Sequence, residues 1–523
     1  MAGRDTTGSL ADRLRSLHGV LLAILCSVFA ELLFGNLSPG QSLVVSAGRT
    51  AIVFLALITL HRFAVTSLRG YKPELKDLLT LCLLIYGTLL LAWTWQVIGV
   101  MLAEYSGHLT FLHGIAADSL FFAIPFASGA LVLQAIRGLH FGLMFTLCIA
   151  LITGVYLPGE PTLVPFVLAT SLVACLSLSR FRSRSAYIKA GFNVALVALP
   201  FALAATIIAG DREVSDVTLR ILGALAGGIL CTFIASGITP LLEYLGGYVT
   251  DMRLIEMATL DHPLLKELSI QAPGTWNHSM VMGMMAESAA VEIGANPVIA
   301  RVGAYFHDIG KVTKPLYFVE NQNPGENRHD RLSTSMSALI IRSHVKEGIE
   351  LAREHKLPSV IVDLIPQHHG TARIEYFYDK ACREAREAGG DPDEVDPGLY
   401  SYPGPKPQTR EAAILMLADG IEAAARTLSE PNLDRIQGLV QKMINKVFAS
   451  GELDECEITL QDLHHIAKTF TRILSGIYHQ RIAYAEPAEK VSEPHRPEEP
   501  AGPQPEDEVN EQRRAEDLKR LGM

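Results

Sequence analysis

The sequence predicts an all-α protein in two parts: a polytopic transmembrane helical bundle, then a cytoplasmic, all-helical half. Up to about residue 245 the chain is mostly long apolar runs, and beyond it charge and histidine become common. In that second half apolar residues recur at helical spacing, whereas the alternation expected of strands is scarce. Averages over all 523 residues, 49% hydrophobic and 19% charged, hide this division. The expected domains are 1–247 in the membrane, 248–485 as the helical cytoplasmic domain, and a disordered tail over 486–523.

A bilayer core needs roughly 20 apolar residues per helix. Eight candidates are present, at about 17–35, 44–65, 78–102, 115–136, 139–157, 162–179, 190–209 and 218–245. The first has a basic flank but no convincing small-residue cleavage site, so it reads as an uncleaved anchor. Arg4, Arg13, Arg15, Arg69, Lys72, Lys76, Arg137, Arg180, Arg182, Arg184 and Lys189 flank one set of span ends. The alternate loops, about 36–43, 103–114 and 158–161, lack Lys and Arg, and 210–217 has only Arg212. This bias places the N-terminus and the soluble half in the cytoplasm, at the inner face of the membrane. Few strongly polar groups lie away from the inner ends: Glu31, Arg49, Gln96, Gln134 and Asn193. Glu31 and Arg49 lie near the outer boundary of adjacent spans and are expected to pair.

In the soluble half, helical spacing appears over about 278–294, 296–306, 331–355, 358–366, 409–428, 432–449 and 459–483. Asn296-Pro297 and Leu357-Pro358 read as helix starts, with Pro in the first turn. The Gly- and Pro-rich stretch 388–408 reads as an irregular loop. The tail is rich in Pro and Glu and poor in apolar residues, which leaves little to bury. A net charge of −10 without a long basic run argues against nucleic-acid polymers as partners. The seven cysteines show no Cys-x-x-Cys spacing and read as free thiols.

The chemistry concentrates in Tyr305-Phe306-His307-Asp308-Ile309-Gly310-Lys311. Adjacent His and Asp suit a metal, and the Gly-Lys that follows suits a phosphate. The same half carries His278, His344, His368, His369 and Asp419. Helices in a bundle can point such side chains at a shared site. Imidazole and carboxylate suit iron, manganese or zinc, and one carboxylate can bridge two ions ~3.5–4 Å apart. Such a pair activates water and clamps the oxygens of an in-line phosphate displacement. Each residue alone has a plainer account: His278 as a helix-start polar group, His344 as a bonded core histidine, Lys311 as a surface charge. Asp419 in Leu415-Met416-Leu417-Ala418-Asp419 would be costly to bury without a partner. His262, His329, His355, His464, His465 and His479 show that histidine is common here. His18, His61, His108, His113 and His140 lie in or beside membrane spans and are given no ligand role.

These residues resemble the HD-domain phosphohydrolases, and more specifically the seven-transmembrane HD (HDIG) family of bacterial cyclic di-AMP phosphodiesterases. The matching segments are Pro273-Gly274-Thr275-Trp276-Asn277-His278-Ser279, Arg301 through Lys311, Ser337 through Val345, Gln367-His368-His369-Gly370-Thr371, Tyr402 through Gln408, and Ala418-Asp419. The resemblance implies two divalent ions, iron or manganese. His278, His307, Asp308 and Asp419 would hold one, and Asp308, His344, His368 and His369 the other. Asp308 would bridge and Lys311 would steady a substrate phosphate. The implied reaction opens cyclic di-AMP to linear pApA.

Family members commonly carry a large extracytoplasmic domain after the first span, where this chain has only about residues 36–43. Cyclic di-GMP is a rival substrate, but related enzymes for it carry Gly-Tyr-Pro soon after the paired histidines, and none stands here. Alarmones and mononucleotides are further rivals, as are a non-catalytic nucleotide receptor and a transporter with a regulatory tail. Helix 432–449 and the C-terminal helix either pack a homodimer or cap the core.

Overall fold

The structure is a computed structural model that describes residues 6–35, 42–68, 71–106, 115–157, 160–178, 185–210, 213–322, 325, 327–429 and 431–478, with side chains from Leu17 onward. The expected disordered tail, most of the outer loops at 36–43 and 103–114, and Arg4, Arg69, Arg180, Arg182, Arg184, Arg212 and His479 lie outside the described residues.

The first half folds as α1 (Thr6–Phe34), α2 (Leu43–Ser67), α3 (Leu75–Ser106), α4 (Ser128–Arg137), α5 (Leu139–Tyr156), α6 (Leu163–Ser177), α7 (Ser185–Ala209) and α8 (Val214–Gly246). Among the described residues, six of these are long and apolar enough to cross a membrane. The expected spans at 115–136 and 162–179 are shorter. In the first, Ile124 is extended before Pro125, and a 3-10 turn at Phe121–Ala123 precedes the 10-residue α4. A residue before proline is driven out of the helical region, which accounts for the break. Gly138, at φ 81°, then ends α4 and starts α5 at once. Helix α6 runs for only 15 residues.

Side chains of α4 such as Leu131, Val132 and Leu133 are fully buried, so this short helix lies inside the bundle. Phe63, Ile188, Phe192 and Ile207 are exposed apolar groups on the long helices, as a lipid-facing surface requires. The expected Glu31–Arg49 pair is present at 2.7 Å, and the Tyr156 hydroxyl donates to the same carboxylate at 2.8 Å. Arg220 is fully buried and meets Asp118 at 2.7 Å, Glu160 at 3.2 Å and Asp216 at 3.2 Å. The seven cysteines form no disulfide.

Gly247, at φ 62°, ends α8. The next residue, Tyr248, turns back into the bundle and donates its hydroxyl to Asp77 at 3.1 Å. The soluble half follows as α9 (Asp251–Met257), α10 (Pro263–Gln271), α11 (Pro273–Ile293), α12 (Pro297–Phe306), α13 (Thr334–Glu354), α14 (Ser359–Val362), α15 (Leu364–Gln367), α16 (Glu375–Glu387), α17 (Arg410–Ala425), α18 (Leu433–Ala449) and α19 (Leu460–Ile477). Among the described residues there is no strand, only an isolated bridge between Arg373 and Ser401. The expected helix over 358–366 is split into α14 and α15, and α11 starts earlier than expected, at Pro273. Helices α9, α10 and α16 were not anticipated. Helix α16 buries Phe377 and Ala381, four residues apart on one face, a helical spacing that the sequence does carry. The stretch 388–408 is irregular apart from short 3-10 turns at Pro392–Glu394 and Pro397–Tyr400.

Candidate metal centre

The site forms where α11, α12, α13, α15 and α17 converge. Asn296 caps α12, accepting from the Val298 and Ile299 amides, and Pro297 opens its first turn. The helix ends at Phe306, so His307 and Asp308 emerge together at its buried C-terminal end. A tight 3-10 turn at Ile309–Thr313 then presses on α13. Gly310 makes this approach possible: a Cβ there would strike the His344 carbonyl oxygen and come within 2.5 Å of the Gly348 nitrogen. His278 lies in the second turn of α11, His344 within α13, His368 at the end of α15, and Asp419 in α17.

The structure brings together all seven His and Asp candidates. They fall into two groups that share Asp308: His278, His307, Asp308 and Asp419, and Asp308, His344, His368 and His369. Within each group the potential ligand atoms lie within 4.8 Å of one another. Asp308 Oδ2 lies 3.0 Å from His307 Nε2, and Oδ1 lies 3.3 Å from His344 Nε2 and 3.8 Å from His368 Nε2. Asp419 approaches His278 Nε2 at 3.0 Å and His369 Nδ1 at 3.6 Å.

The backbone decides which ring nitrogen faces inward. His307, His344 and His368 each point Nδ1 at the carbonyl three residues earlier, of Ala304, Ile341 and Ile365. A carbonyl only accepts, so each Nδ1 carries the proton and each Nε2 presents a lone pair. Those three Nε2 atoms and Asp308 Oδ1 are buried with no partner in hydrogen-bonding geometry, while Asp308 Oδ2 is met by the Lys311 ammonium at 2.7 Å. Orphaned acceptors this concentrated are costly unless a cation satisfies them. The donor set therefore fits divalent metal.

Electrostatics agree. Burial pushes the His344 and His368 imidazoles below their usual range and takes His369 down to about 3, so all three stay neutral. Burial would raise Asp308, but its contacts with His307 and the Lys311 ammonium hold it well below the usual carboxylate range. His278 differs. Burial lowers it, yet Asp419 and Glu422 outweigh that and bring it up to about 9. Binding a metal there must displace that proton.

Lys311 reaches the site already engaged, 2.7 Å from Asp308 Oδ2 and 2.8 Å from Glu320 Oε1. Sequence reasoning missed three supporting residues. Glu422 bonds Nδ1 of His278 from one turn beyond Asp419, so the two carboxylates share a face of α17. Glu320 holds Lys311. Tyr402 stacks on His369, with centroids 4.1 Å apart. The spacing of Asp419 and Glu422, and the place of Tyr402 at the head of the matching segment Tyr402 through Gln408, offered signals in the sequence; Glu320 offered none.

A family model described as a 7TM receptor with intracellular HD hydrolase matches residues 43–250, and an HD domain model matches residues 275–424. The cyclic-di-AMP phosphodiesterase PgpH of Listeria monocytogenes is 38% identical over 379 residues, covering 72% of this chain and 52% of that protein. Its namesake in Bacillus subtilis is 34% identical over 387 residues, covering 72% and 53%. The chain thus spans about half the length of these relatives. A crystal structure of the L. monocytogenes PgpH HD domain in complex with cyclic-di-AMP is 45% identical, covers 43% of this chain and 100% of its own, and has a TM-score of 0.39.

Proposed function

This chain belongs to the family of 7TM receptors with an intracellular HD hydrolase domain, and from that premise we propose that it is a metal-dependent phosphodiesterase opening cyclic di-AMP to linear pApA. The L. monocytogenes and B. subtilis relatives, which match over 72% of this chain, are named cyclic-di-AMP phosphodiesterases. The observation that carries the reading is the pair of ligand groups sharing Asp308.

In this reading His278, His307, Asp308 and Asp419 hold one divalent ion and Asp308, His344, His368 and His369 hold the second, with iron or manganese as the occupants. Bound there, the ions supply Lewis acidity and a water of lowered pKa. The protein does the rest. Backbone carbonyls fix three imidazole tautomers, so no ring must reorient on loading. Burial of Asp308 and the histidines keeps bulk water from competing for the phosphate oxygens. Lys311, held between Asp308 and Glu320, places an ammonium where a phosphoryl oxygen gains charge. A metal on His278 would displace the proton on Nε2, the nitrogen that faces Asp419, while Nδ1 keeps its bond to Glu422. The basic residues at alternate span ends support a cytoplasmic catalytic domain at the inner face of a bacterial membrane.

The test is turnover by the purified full chain in detergent with Mn²⁺ or Fe²⁺ added. Formation of pApA from cyclic di-AMP, abolished by chelation, is expected. Cleavage of cyclic di-GMP but not cyclic di-AMP would reject the substrate assignment. No turnover of any cyclic dinucleotide by metal-loaded protein would reject the reaction.

A further inference from the structure

A groove of ≈ 900 Å³ opens beside the metal centre, with Tyr317, Phe318, Glu320, Ile341, Tyr376 and Phe377 on its walls. It shares two residues with the site. The Phe318 ring meets His344 edge-on at 5.7 Å, and the Lys311 ammonium lies 5.0 Å from the Phe318 centroid. Glu320 is the carboxylate that holds Lys311. A molecule with its phosphate on the metal centre therefore has this groove as a direct continuation.

The walls are built to stay in place. Phe377 is buried and packs on His329 with centroids 5.2 Å apart, and His329 Nε2 donates to the Tyr317 carbonyl at 2.8 Å. Tyr376 stands at right angles to Phe377, with centroids 5.0 Å apart, yet is 61% exposed. A large aromatic face set against buried Phe377 and left mostly exposed beside a phosphate site suits a planar ligand. A second groove, of ≈ 980 Å³, runs along α13, but no aromatic side chain lines it, and Lys314 and Glu347 pair within it.

We propose that the groove of Tyr317, Phe318 and Tyr376 seats one purine base of the cyclic dinucleotide, with Tyr376 as its stacking platform. This rests on the reading of the metal centre given above. In a cyclic dinucleotide each base is joined through its ribose to the phosphates, so seating a base restricts where the phosphates lie. A base seated here orients the scissile phosphate without touching it, so Tyr376 acts on binding and positioning. Every base has a π-face, so stacking gives affinity and leaves the choice among purines to other contacts.

The experiment measures initial rates on cyclic di-AMP by the full chain with Mn²⁺, for wild type, Tyr376→Ala and Tyr376→Phe. Because Tyr376 is mostly exposed, truncation opens no core cavity. Tyr376→Ala is expected to raise KM by about fivefold or more, the lower end for one stacked base, with kcat within about twofold. Tyr376→Phe keeps the ring and is expected to restore the wild-type KM. An unchanged KM in Tyr376→Ala, or a fall in kcat alone, overturns the base site while leaving the phosphodiesterase reading intact. Absence of wild-type turnover removes that reading, and the base site with it.

Discussion

Glu422 bonds Nδ1 of His278 and thereby turns Nε2 toward Asp419, 3.0 Å away. A carboxylate behind an imidazole fixes ring orientation and raises its basicity as a ligand. Glu422→Gln is therefore expected to weaken metal binding by about 10–100-fold, the usual cost of losing such a partner. Metal titration monitored by bound-metal analysis checks this, and excess Mn²⁺ should recover most of the lost turnover. Unchanged affinity would mean that Glu422 only fills space.

Asp308 is the one residue common to both ligand groups. Asp308→Asn keeps its size but removes the charge that a bridging ligand needs. Bound metal and turnover are expected to fall together by more than ~100-fold, beyond the loss of an outer partner. Full metal content in the purified variant would contradict the shared-ligand arrangement.

The Lys311–Glu320 pair sets a pH dependence. Burial would raise the Glu320 pKa, but Lys311 outweighs it and the folded value lies below the ordinary 4.5. A depressed carboxyl contributes stability that is present above its unfolded pKa and lost as pH falls through the folded value. Wild type should therefore exceed Glu320→Gln in Tm at pH 6, with the gap closing in acid below about 4.5. Thermal unfolding of both proteins across that range measures it. A gap that widens in acid would reverse the sign and refute the account.

Arg220 is fully buried among Asp118, Glu160 and Asp216. Removing it leaves buried carboxylates without their counter-charge, and truncating one partner of a buried ion pair costs ~3–5 kcal/mol. Arg220→Ala is expected to cut the yield of folded protein and lower its Tm, read by fluorescence-detected gel filtration after heating. Arg220→Lys keeps the charge but not the three-way fork, and should fall between the two.

How much was legible in the chain differs between its halves. Apolar runs announced the six long helices because a bilayer demands length. They also marked two others whose helices are shorter than the apolar runs, since hydropathy does not register Pro125 or the burial of α4 within its neighbours. In the soluble half, α12, α13 and α17 were readable from periodicity and their caps Asn296, Ser333 and Thr409, whereas α16 is amphipathic but has no capping side chain to mark its start.

By itself the sequence determined the residue types: imidazoles and carboxylates suited to a metal, and the Gly-Lys after Asp308. Tertiary structure alone decided their partners. Which imidazole nitrogen faces inward depends on carbonyls of Ala304, Ile341 and Ile365, whose directions exist only once the helices form. Glu320 meets Lys311, and Tyr402 meets His369, across loops that no periodicity places. Side-chain chemistry is written locally, but orientation and burial arise from contacts between distant segments, and these set the charge and ligand capacity of each group.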